Sequence, residues 1–379
     1  MTQTVIAGYA RSPFAFAGRG ALAKIRPDDL AAQTIAALMQ RTGANPDDIE
    51  DLILGCAFPE GEQGFNMARL VTFIAGLPQS VAGATVNRFC GSSMYAIHMA
   101  AGAIAIGAGE VFVCAGVESM TRIPMGGFNP MPNPDLYARY SEAYISMGET
   151  AENLARKFEI GREAQDAFAV ESQRKAAAAQ AEGRLDEEIV PITGKDGTVG
   201  KDGCLRPDTT AEALAGLKPA FDENGTVTAG TASPLTDGAA ATLVCSAEYA
   251  KANGLEPLAI VRAVSVAGCA PEIMGIGPVA ATRKALDRAG ISLDEIDVIE
   301  LNEAFASQSI ACIRELGLDE EKINLDGGAI ALGHPLGATG ARITGKAAQL
   351  LKRTGGRYAL ATQCIGGGQG IATILEAAS

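Results

Sequence analysis

Apolar and polar residues alternate along this chain with two periods, and the period changes at short turns rich in glycine. Short apolar runs predict buried strands, and apolar residues spaced three and four apart predict helices. In the first third of the chain the pattern predicts strands at 4–9, 51–55, 83–87 and 110–115 and helices at 27–41, 66–75 and after Cys90. In the last third it predicts strands at 260–267, 298–301, 323–327 and 358–362 and helices at 279–289 and after His334. Strands alternating with helices are typical of a layered α/β protein.

The chain contains an internal repeat that divides it into two similar halves. Residues 43–58 align without a gap with residues 290–305, at a constant offset of 247 positions. Residues 238–243 resemble residues 370–375 at an offset of only 132 positions, so the first half carries an insertion of about 115 residues. We therefore predict three parts: an N-terminal half at 1–118 and 237–258, an inserted loop domain at 119–236, and a C-terminal half at 259–379.

The inserted segment differs in composition from the two halves. Pro, Met and Tyr cluster at 124–144, and charged amphipathic helices are predicted at 151–158 and 162–182. This composition favours a lid placed over a site that the two halves make together.

The repeat also predicts which distant residues meet. In the register of 247 positions, Cys90 lies beside the turn at 333–335, and the strand ending at Val117 lies beside the one ending at Cys364. Two similar halves can thus face one reactive cysteine with groups from the other half. A duplication without functional meaning is the alternative.

Composition and charge exclude several classes of protein. The chain has 379 residues, 47% of them hydrophobic, which suffices for well-buried cores. Its formal net charge of −13 argues against a nucleic-acid partner, although a few local basic residues could still hold a small anion. The longest apolar stretch, about 96–117, is interrupted by His98 and Glu110, so we expect no membrane span.

The eight cysteines are scattered without a CxxC pair, which is typical of reduced thiols in a cytoplasmic protein. No secretory leader is expected, because the chain begins directly with a predicted strand. Only two histidines are present, and we therefore expect no zinc or other metal site.

Cys90 is a candidate nucleophile. It follows an apolar strand and stands at the predicted start of a helix, where unpaired N–H groups and the helix dipole stabilise a thiolate. A buried structural cysteine is the alternative interpretation.

Three further residues could assist such a thiol. His334, in a Gly/Pro turn before a helix, is placed to act as a base, although a turn histidine can also cap its own backbone. Cys364 precedes a run of glycines whose N–H groups could form an oxyanion hole or a simple tight turn. Asn302 follows the matching strand and could orient a water or a substrate oxygen. His98 lies inside a helix and is expected to be structural.

Four motifs resemble the signatures of the thiolase family, and the likeness runs along essentially the whole chain. They are Asn87-Arg88-Phe89-Cys90-Gly91-Ser92-Ser93, Asn302-Glu303-Ala304-Phe305, Gly333-His334-Pro335 and Cys364-Ile365-Gly366. The resemblance implies an α/β fold of two similar βαβαβαββ halves stacked in layers with an inserted loop domain.

The resemblance also implies roles for the site residues. Cys90 would carry the acyl group, His334 would activate it, and Cys364 would be the second acid/base. Asn302, through a water, and His334 would form one oxyanion hole, and the backbone N–H groups of Cys90 and Gly366 the other. Coenzyme A would be a substrate, with no permanently bound cofactor. Its contacts would be Arg206 near the adenine–phosphate end and Ser233, Met147, Met274, Ala304 and Phe305 along the pantetheine.

Local departures favour one subtype. Biosynthetic acetoacetyl-CoA thiolases carry His where this chain has Ser146 and Gly where it has Pro234, whereas residues 63–66 look like those of degradative 3-ketoacyl-CoA thiolases. The expected activity is therefore that of acetyl-CoA C-acyltransferase. Acetoacetyl-CoA synthesis is the alternative, and an inactive lipid carrier of the same fold is a third, less favoured reading. The family forms homodimers and homotetramers, and degradative members also join a hydratase/dehydrogenase subunit.

Overall fold

The computed structural model describes residues 2–378. Its strands are β1 (Thr4–Arg11), β2 (Ala15–Phe16), β3 (Asp51–Gly55), β4 (Ala82–Val86), β5 (Val111–Ser119), β6 (Ile192–Gly194), β7 (Gly197–Val199), β8 (Thr236–Ser246), β9 (Ala259–Gly268), β10 (Val298–Leu301), β11 (Tyr358–Ile365) and β12 (Gln369–Ala377). Its helices are α1 (Pro27–Thr42), α2 (Met67–Ile74), α3 (Ser92–Ala105), α4 (Pro134–Arg139), α5 (Met147–Lys157), α6 (Arg162–Ala181), α7 (Ala211–Ala215), α8 (Ala247–Ala252), α9 (Gly277–Ala289), α10 (Ala306–Leu316), α11 (Ala329–Leu332) and α12 (Leu336–Thr354).

The two halves form one mixed sheet with related topologies. Its order is β10-β11-β12-β9-β1-β8-β5-β3-β4, and β2 pairs with β8 beside this path. The halves join where β1 pairs with β9, through Val5 with Ile260 and Ile6 with Ala259. The outer strands of each half are parallel, β4, β3 and β5 in the N-terminal half and β10 with β11 in the C-terminal half, while the inner strands are antiparallel. The predicted duplication and α/β class are confirmed.

Helices α3 and α12 pack against each other, and α12 contacts strands of both halves. Glycines allow this close approach. A Cβ on Gly116 would lie 2.0 Å from the carbonyl oxygen of Gly337, and one on Gly340 would lie 2.3 Å from the backbone nitrogen of Met94. On the opposite faces, α1 and α2 cover the N-terminal strands, and α9 and α10 cover the C-terminal strands. The layers therefore bring the start of α3 close to the start of α12.

The inserted segment is fastened to both halves by buried ion pairs. Arg11 of β1 contacts Glu188 and Asp202 of the insertion, at 2.7 Å each. Lys346 of α12 contacts Glu188 at 3.0 Å and Asp326 at 2.7 Å. Removing one member of such a group would leave a buried charge without its partner. The division of the chain at 119–236 stays a prediction.

The predicted strand at 323–327 is wrong. A 3-10 helix spans Glu320–Lys322, and only an isolated bridge joins Ile323 to Ile299. Asn324 has a φ of 47°, and its side chain hydrogen-bonds both the N–H and the carbonyl of Leu301, at 3.0 and 2.8 Å. A side-chain amide thus replaces the backbone pairing that the apolar run suggested.

Candidate active site

Cys90 lies in a sharp turn between β4 and α3. Phe89 before it has a φ of 41°, in the left-handed region that few large residues adopt. A Cβ on Gly91 would lie 2.5 Å from the side chain of Ile365, so the turn packs directly on the other half. From that half the Gln363 amide donates to the carbonyl of Cys90. The nucleophile candidate is therefore held by both halves of the chain.

The Cys90 side chain is a neutral thiol in this setting. Burial raises its pKa to about 12, and the negative charge of Glu118 contributes. Hydrogen bonds from the N–H groups of Gly366 and of Cys90 itself lower the pKa, but by less than burial raises it. The prediction of a thiolate stabilised by the helix terminus is thus wrong for the resting site, because desolvation outweighs the terminal N–H groups. The thiol needs a base.

His334 has one defined tautomer. Its Nδ1 lies 2.6 Å from the hydroxyl oxygen of Thr339, which itself donates to the carbonyl of Pro335 at 3.0 Å. Because the single hydroxyl proton is used there, the oxygen accepts from Nδ1–H. Nε2 then carries a lone pair that can take a proton, with the Asn302 amide nitrogen 3.4 Å away. The backbone N–H of His334 donates to Thr236 at 3.0 Å, which fixes the turn.

The His334 imidazole is uncharged at neutral pH. Burial, with a smaller contribution from the positive charge of Arg342, lowers its pKa to about 3. The amide nitrogen of Asn302 lies 3.4 Å from Nε2, while the Asn302 amide oxygen is buried without a hydrogen-bond partner among the described residues. The uncharged Nε2 of His334 and the amide of Asn302 therefore lie close together in the site.

Cys364 ends up in the same cavity as Cys90 and His334. The cavity holds about 230 Å³ and lies between the two halves and the inserted segment. Burial and the neighbouring Cys90 raise the pKa of Cys364 well above its usual value, so this thiol is neutral as well. After Cys364 the chain turns through Gly367 and Gly368, with φ of 77° and 78°, which helps to aim the Gly366 N–H at the Cys90 sulfur. The register of the repeat placed Cys90 beside the His334 turn, and both residues line this cavity. The strands that end near Val117 and Cys364, β5 and β11, are not neighbours in the sheet, so that part of the prediction is wrong.

Family models match nearly the whole chain. The model described as "Thiolase, N-terminal domain" matches residues 4–248, and that described as "Thiolase, C-terminal domain" matches residues 255–377. The chain belongs to the thiolase family. The resemblance found in the four motifs is confirmed.

Two similar curated thiolases are named 3-ketoacyl-CoA thiolase. The one from Bacillus subtilis is 47% identical and the one from Shewanella frigidimarina 50% identical, and each alignment covers 99% of this chain and 100% of the relative. Among solved structures, the Bacillus anthracis acetyl-CoA acetyltransferase is 42% identical, with a TM-score of 0.92 over 100% of this chain and 99% of that one. The predicted thiolase-like fold is confirmed.

Five of the six residues predicted to contact CoA line the cavity of this thiolase. They are Met147, Ser233, Met274, Ala304 and Phe305. Arg206 does not line it; its exposed guanidinium lies 5.1 Å from the centre of the Phe16 ring. The two thiols lie on different walls of the cavity. Cys364 packs with Met274 and Phe305, whereas Cys90 packs with Met120 and Leu336.

Several residues at the thiolase site escaped the sequence analysis. Thr339 could have been found, since it lies in the helix that follows the His334 turn. Thr236, Gln363 and Glu118 act on residues about 100 or more positions away, and no local pattern marks them. A larger cavity of about 680 Å³ between α6 and α10 contains neither thiol, so we assign the chemistry to the smaller one.

Within residues 2–378, no group of three or more His, Cys, Asp or Glu side chains is arranged to hold a metal ion. Among the same residues no helix combines the length and apolarity needed to cross a membrane. All eight cysteines lie in this range and are free.

Proposed function

We propose that this thiolase is an acetyl-CoA C-acyltransferase, a 3-ketoacyl-CoA thiolase. It would use CoA to cleave a 3-ketoacyl-CoA into acetyl-CoA and an acyl-CoA shortened by that acetyl unit. The observation that carries the proposal is the meeting of Cys90, His334 and Cys364 in one cavity, with the His334 lone pair on Nε2. The names of the curated relatives support the same substrate class.

In the first half-reaction, His334 Nε2 takes the Cys90 proton as the sulfur attacks the ketone carbon of the substrate. The bond between that carbon and the acetyl-CoA unit then breaks, and the acyl group remains on the sulfur as a thioester. The released electron pair forms the acetyl-CoA enolate, which receives a proton from Cys364. The neutral resting state of both thiols suits this sequence, because each proton moves only when substrate is present.

In the second half-reaction, the Cys364 thiolate removes the proton from CoA, and the CoA sulfur attacks the thioester. The tetrahedral intermediate expels Cys90, which recovers its proton from His334. A negative charge develops on a substrate oxygen in each half-reaction. We assign the N–H groups of Cys90 and Gly366 to one oxyanion hole, and Asn302 with His334 to the other. One such donor is typically worth about 3–4 kcal/mol in the transition state.

The CoA arm would run along the wall that carries Cys364. Met147 and Met274 give this wall a flexible apolar surface, and the Phe305 ring packs edge-on against Phe221 at 5.8 Å. The Ser233 N–H is already bonded to the carbonyl of Ala304 at 2.9 Å, so only its hydroxyl would face CoA. Arg206 is proposed for the distant phosphate end, outside the cavity.

Trapping the acyl-enzyme tests the reaction class. After incubation with acyl-CoA and rapid acid quenching, peptide mass spectrometry should find the acyl mass on the Cys90 peptide. An unmodified Cys90 peptide, with CoA release intact, would refute the assignment. Binding of acyl-CoA without CoA release would instead favour an inactive lipid carrier.

The substrate preference distinguishes a degradative 3-ketoacyl-CoA thiolase from a biosynthetic acetoacetyl-CoA thiolase. The solved Bacillus anthracis relative is titled acetyl-CoA acetyltransferase, which keeps acetoacetyl-CoA synthesis as a candidate. Steady-state thiolysis of acetoacetyl-CoA and of longer 3-ketoacyl-CoA substrates decides between them. A higher kcat/KM for the longer chains supports our proposal, and activity confined to acetoacetyl-CoA contradicts it.

We further propose a cytoplasmic homo-oligomer. The turn before α2 and α2 itself expose four large apolar side chains, Phe65 (93% exposed), Leu70, Phe73 and Ile74, and clustered exposed apolar residues often mark an interface. A second copy of the chain would cover these side chains. Light scattering should find a dimer or tetramer, and Phe73→Glu should dissociate it, whereas Met131→Glu on the exposed part of the insertion should not. A monomeric wild type would contradict the proposal, and a hydratase/dehydrogenase subunit stays a prediction.

A further inference from the structure

Glu118, the penultimate residue of β5, is a fully buried carboxylate without a basic partner. It is 1% exposed, and none of its hydrogen-bond partners is an arginine or a lysine. One of its oxygens accepts from the N–H groups of Ala57 and Gly337, at 2.8 and 2.9 Å. The other accepts from the Phe58 N–H at 3.2 Å and from the Gln63 side chain at 2.8 Å. Burial raises the pKa of Glu118, and the hydrogen bonds from these four N–H donors act against that rise by favouring the ionised carboxylate.

Through these bonds Glu118 links Gly337 of the C-terminal half to Ala57, Phe58 and Gln63 of the N-terminal half. Gly337 belongs to the C-terminal half and is three residues from His334, in the first turn of α12. Ala57 belongs to the N-terminal half and packs with Cys90. The backbone of Gly337 also packs tightly against β5, because a Cβ on Gly337 would lie 2.6 Å from the Val117 carbonyl oxygen. Glu118 thus links the His334 turn to the Cys90 loop, in addition to the contacts that Gln363 and Gly91 make between the two halves.

The charge of Glu118 also acts on the nucleophile. His334 and Cys364 line the cavity together with Cys90, and the charge of Glu118 raises the pKa of Cys90. Cys56, just after β3, lies 3.6 Å from a carboxylate oxygen of Glu118. Of these, Glu118 is the one that suits a resting negative charge, and it opposes formation of a thiolate at Cys90. Burial is the main reason that the pKa of Cys90 is raised, and the charge of Glu118 adds to it.

We propose that Glu118 is a positioning residue of this thiolase: it fixes the His334 turn against the Cys90 loop, and its charge acts on the Cys90 sulfur. The inference rests on the proposed function, since it assumes that Cys90 and His334 are the reacting pair. It assigns Glu118 no contact with the substrate.

Glu118→Gln separates the two parts of this role. A carboxamide has one accepting oxygen, so it cannot satisfy two pairs of N–H donors, and it carries no charge. We expect the pH midpoint of Cys90 alkylation by iodoacetamide to fall by about one pH unit. We also expect kcat to fall about tenfold or more, with KM changed much less, because the reacting groups are displaced. Alkylation is read at the Cys90 peptide by mass spectrometry.

Two further variants complete the test. Glu118→Asp keeps the charge but shortens the reach, so kcat should fall while the alkylation midpoint stays at its wild-type value. Glu303→Gln is the matched control, since Glu303 is also buried and accepts from Ser172, Asn324 and Ile330 without facing Cys90. Its alkylation midpoint should not move.

A Glu118→Gln enzyme with wild-type kcat and midpoint would overturn the inference. If that variant does not fold, a wild-type kcat in Glu118→Asp overturns it instead. A wild-type enzyme whose Cys90 is never acylated would refute the proposed function and not the role of Glu118 alone, so the two failures are distinguishable.

Discussion

The Nδ1 atom of His334 and the hydroxyl oxygen of Thr339 are 2.6 Å apart, and this contact determines which nitrogen of the imidazole can act as a base. The threonine belongs to the first turns of α12, so the helix that follows the turn also orients the ring. Its hydroxyl proton is directed back to Pro335, as threonine commonly does within a helix. The sequence thus provides the base and its orienting group within six consecutive positions.

Replacing Thr339 by Val should remove that orientation. Valine has nearly the same shape but accepts no hydrogen bond, so Nδ1–H would be buried without a partner and the other tautomer would become favourable. We expect kcat to fall by about 10²-fold, as for impaired general-base catalysis. Thr339→Ser keeps the hydroxyl and should stay close to wild type. Equal kcat values in the two variants would show that the contact does not set the tautomer.

Replacing Asn302 by Ala should remove one oxyanion donor. The amide nitrogen lies 3.4 Å from His334 Nε2, at the point where negative oxygen would develop. We expect kcat to fall by about 10²–10³-fold. Alkylation of Cys90 should be unchanged, because that reaction develops no oxyanion there. A variant that loses alkylation together with turnover would point to a structural role for Asn302 instead.

Replacing Cys364 by Ala should divide the reaction into its parts. Without the second thiol the enzyme should still accept an acyl group from acyl-CoA onto Cys90, but it should lose carbon–carbon bond cleavage, since nothing protonates the departing enolate. Cys245→Ala, at a buried cysteine of β8, is the control and should turn over normally. Normal cleavage by the Cys364 variant would remove this residue from the mechanism.

The repeat explains why so much of the site could be predicted from the sequence. Cys90, His334 and Cys364 each follow a recognisable strand or turn, and the register of the repeat places Cys90 beside the His334 turn. The features of the site that the sequence did not predict depend on three-dimensional packing. The buried Glu118 and Gln363 bond to residues far along the chain, and the resting thiol of Cys90 reflects burial that outweighs a helix terminus. The strand expected at 323–327 failed for a similar reason, because a single asparagine side chain took over its hydrogen bonds.

His98 predicts how stability depends on pH. Burial and the charges of Arg88 and Arg288 lower its pKa to about 3, and Nε2 lies 2.8 Å from the Thr373 hydroxyl. In the unfolded chain its pKa is about 6.5, so between these values the unfolded state binds the extra proton and stability falls as pH falls. His98→Gln removes the side chain that binds this proton. Because the ring is only partly buried, we expect the variant to gain about 1 kcal/mol relative to wild type between pH 7 and pH 5 in urea unfolding. A pH-independent difference between the two proteins would mean that His98 is protonated in the folded state as readily as in the unfolded one.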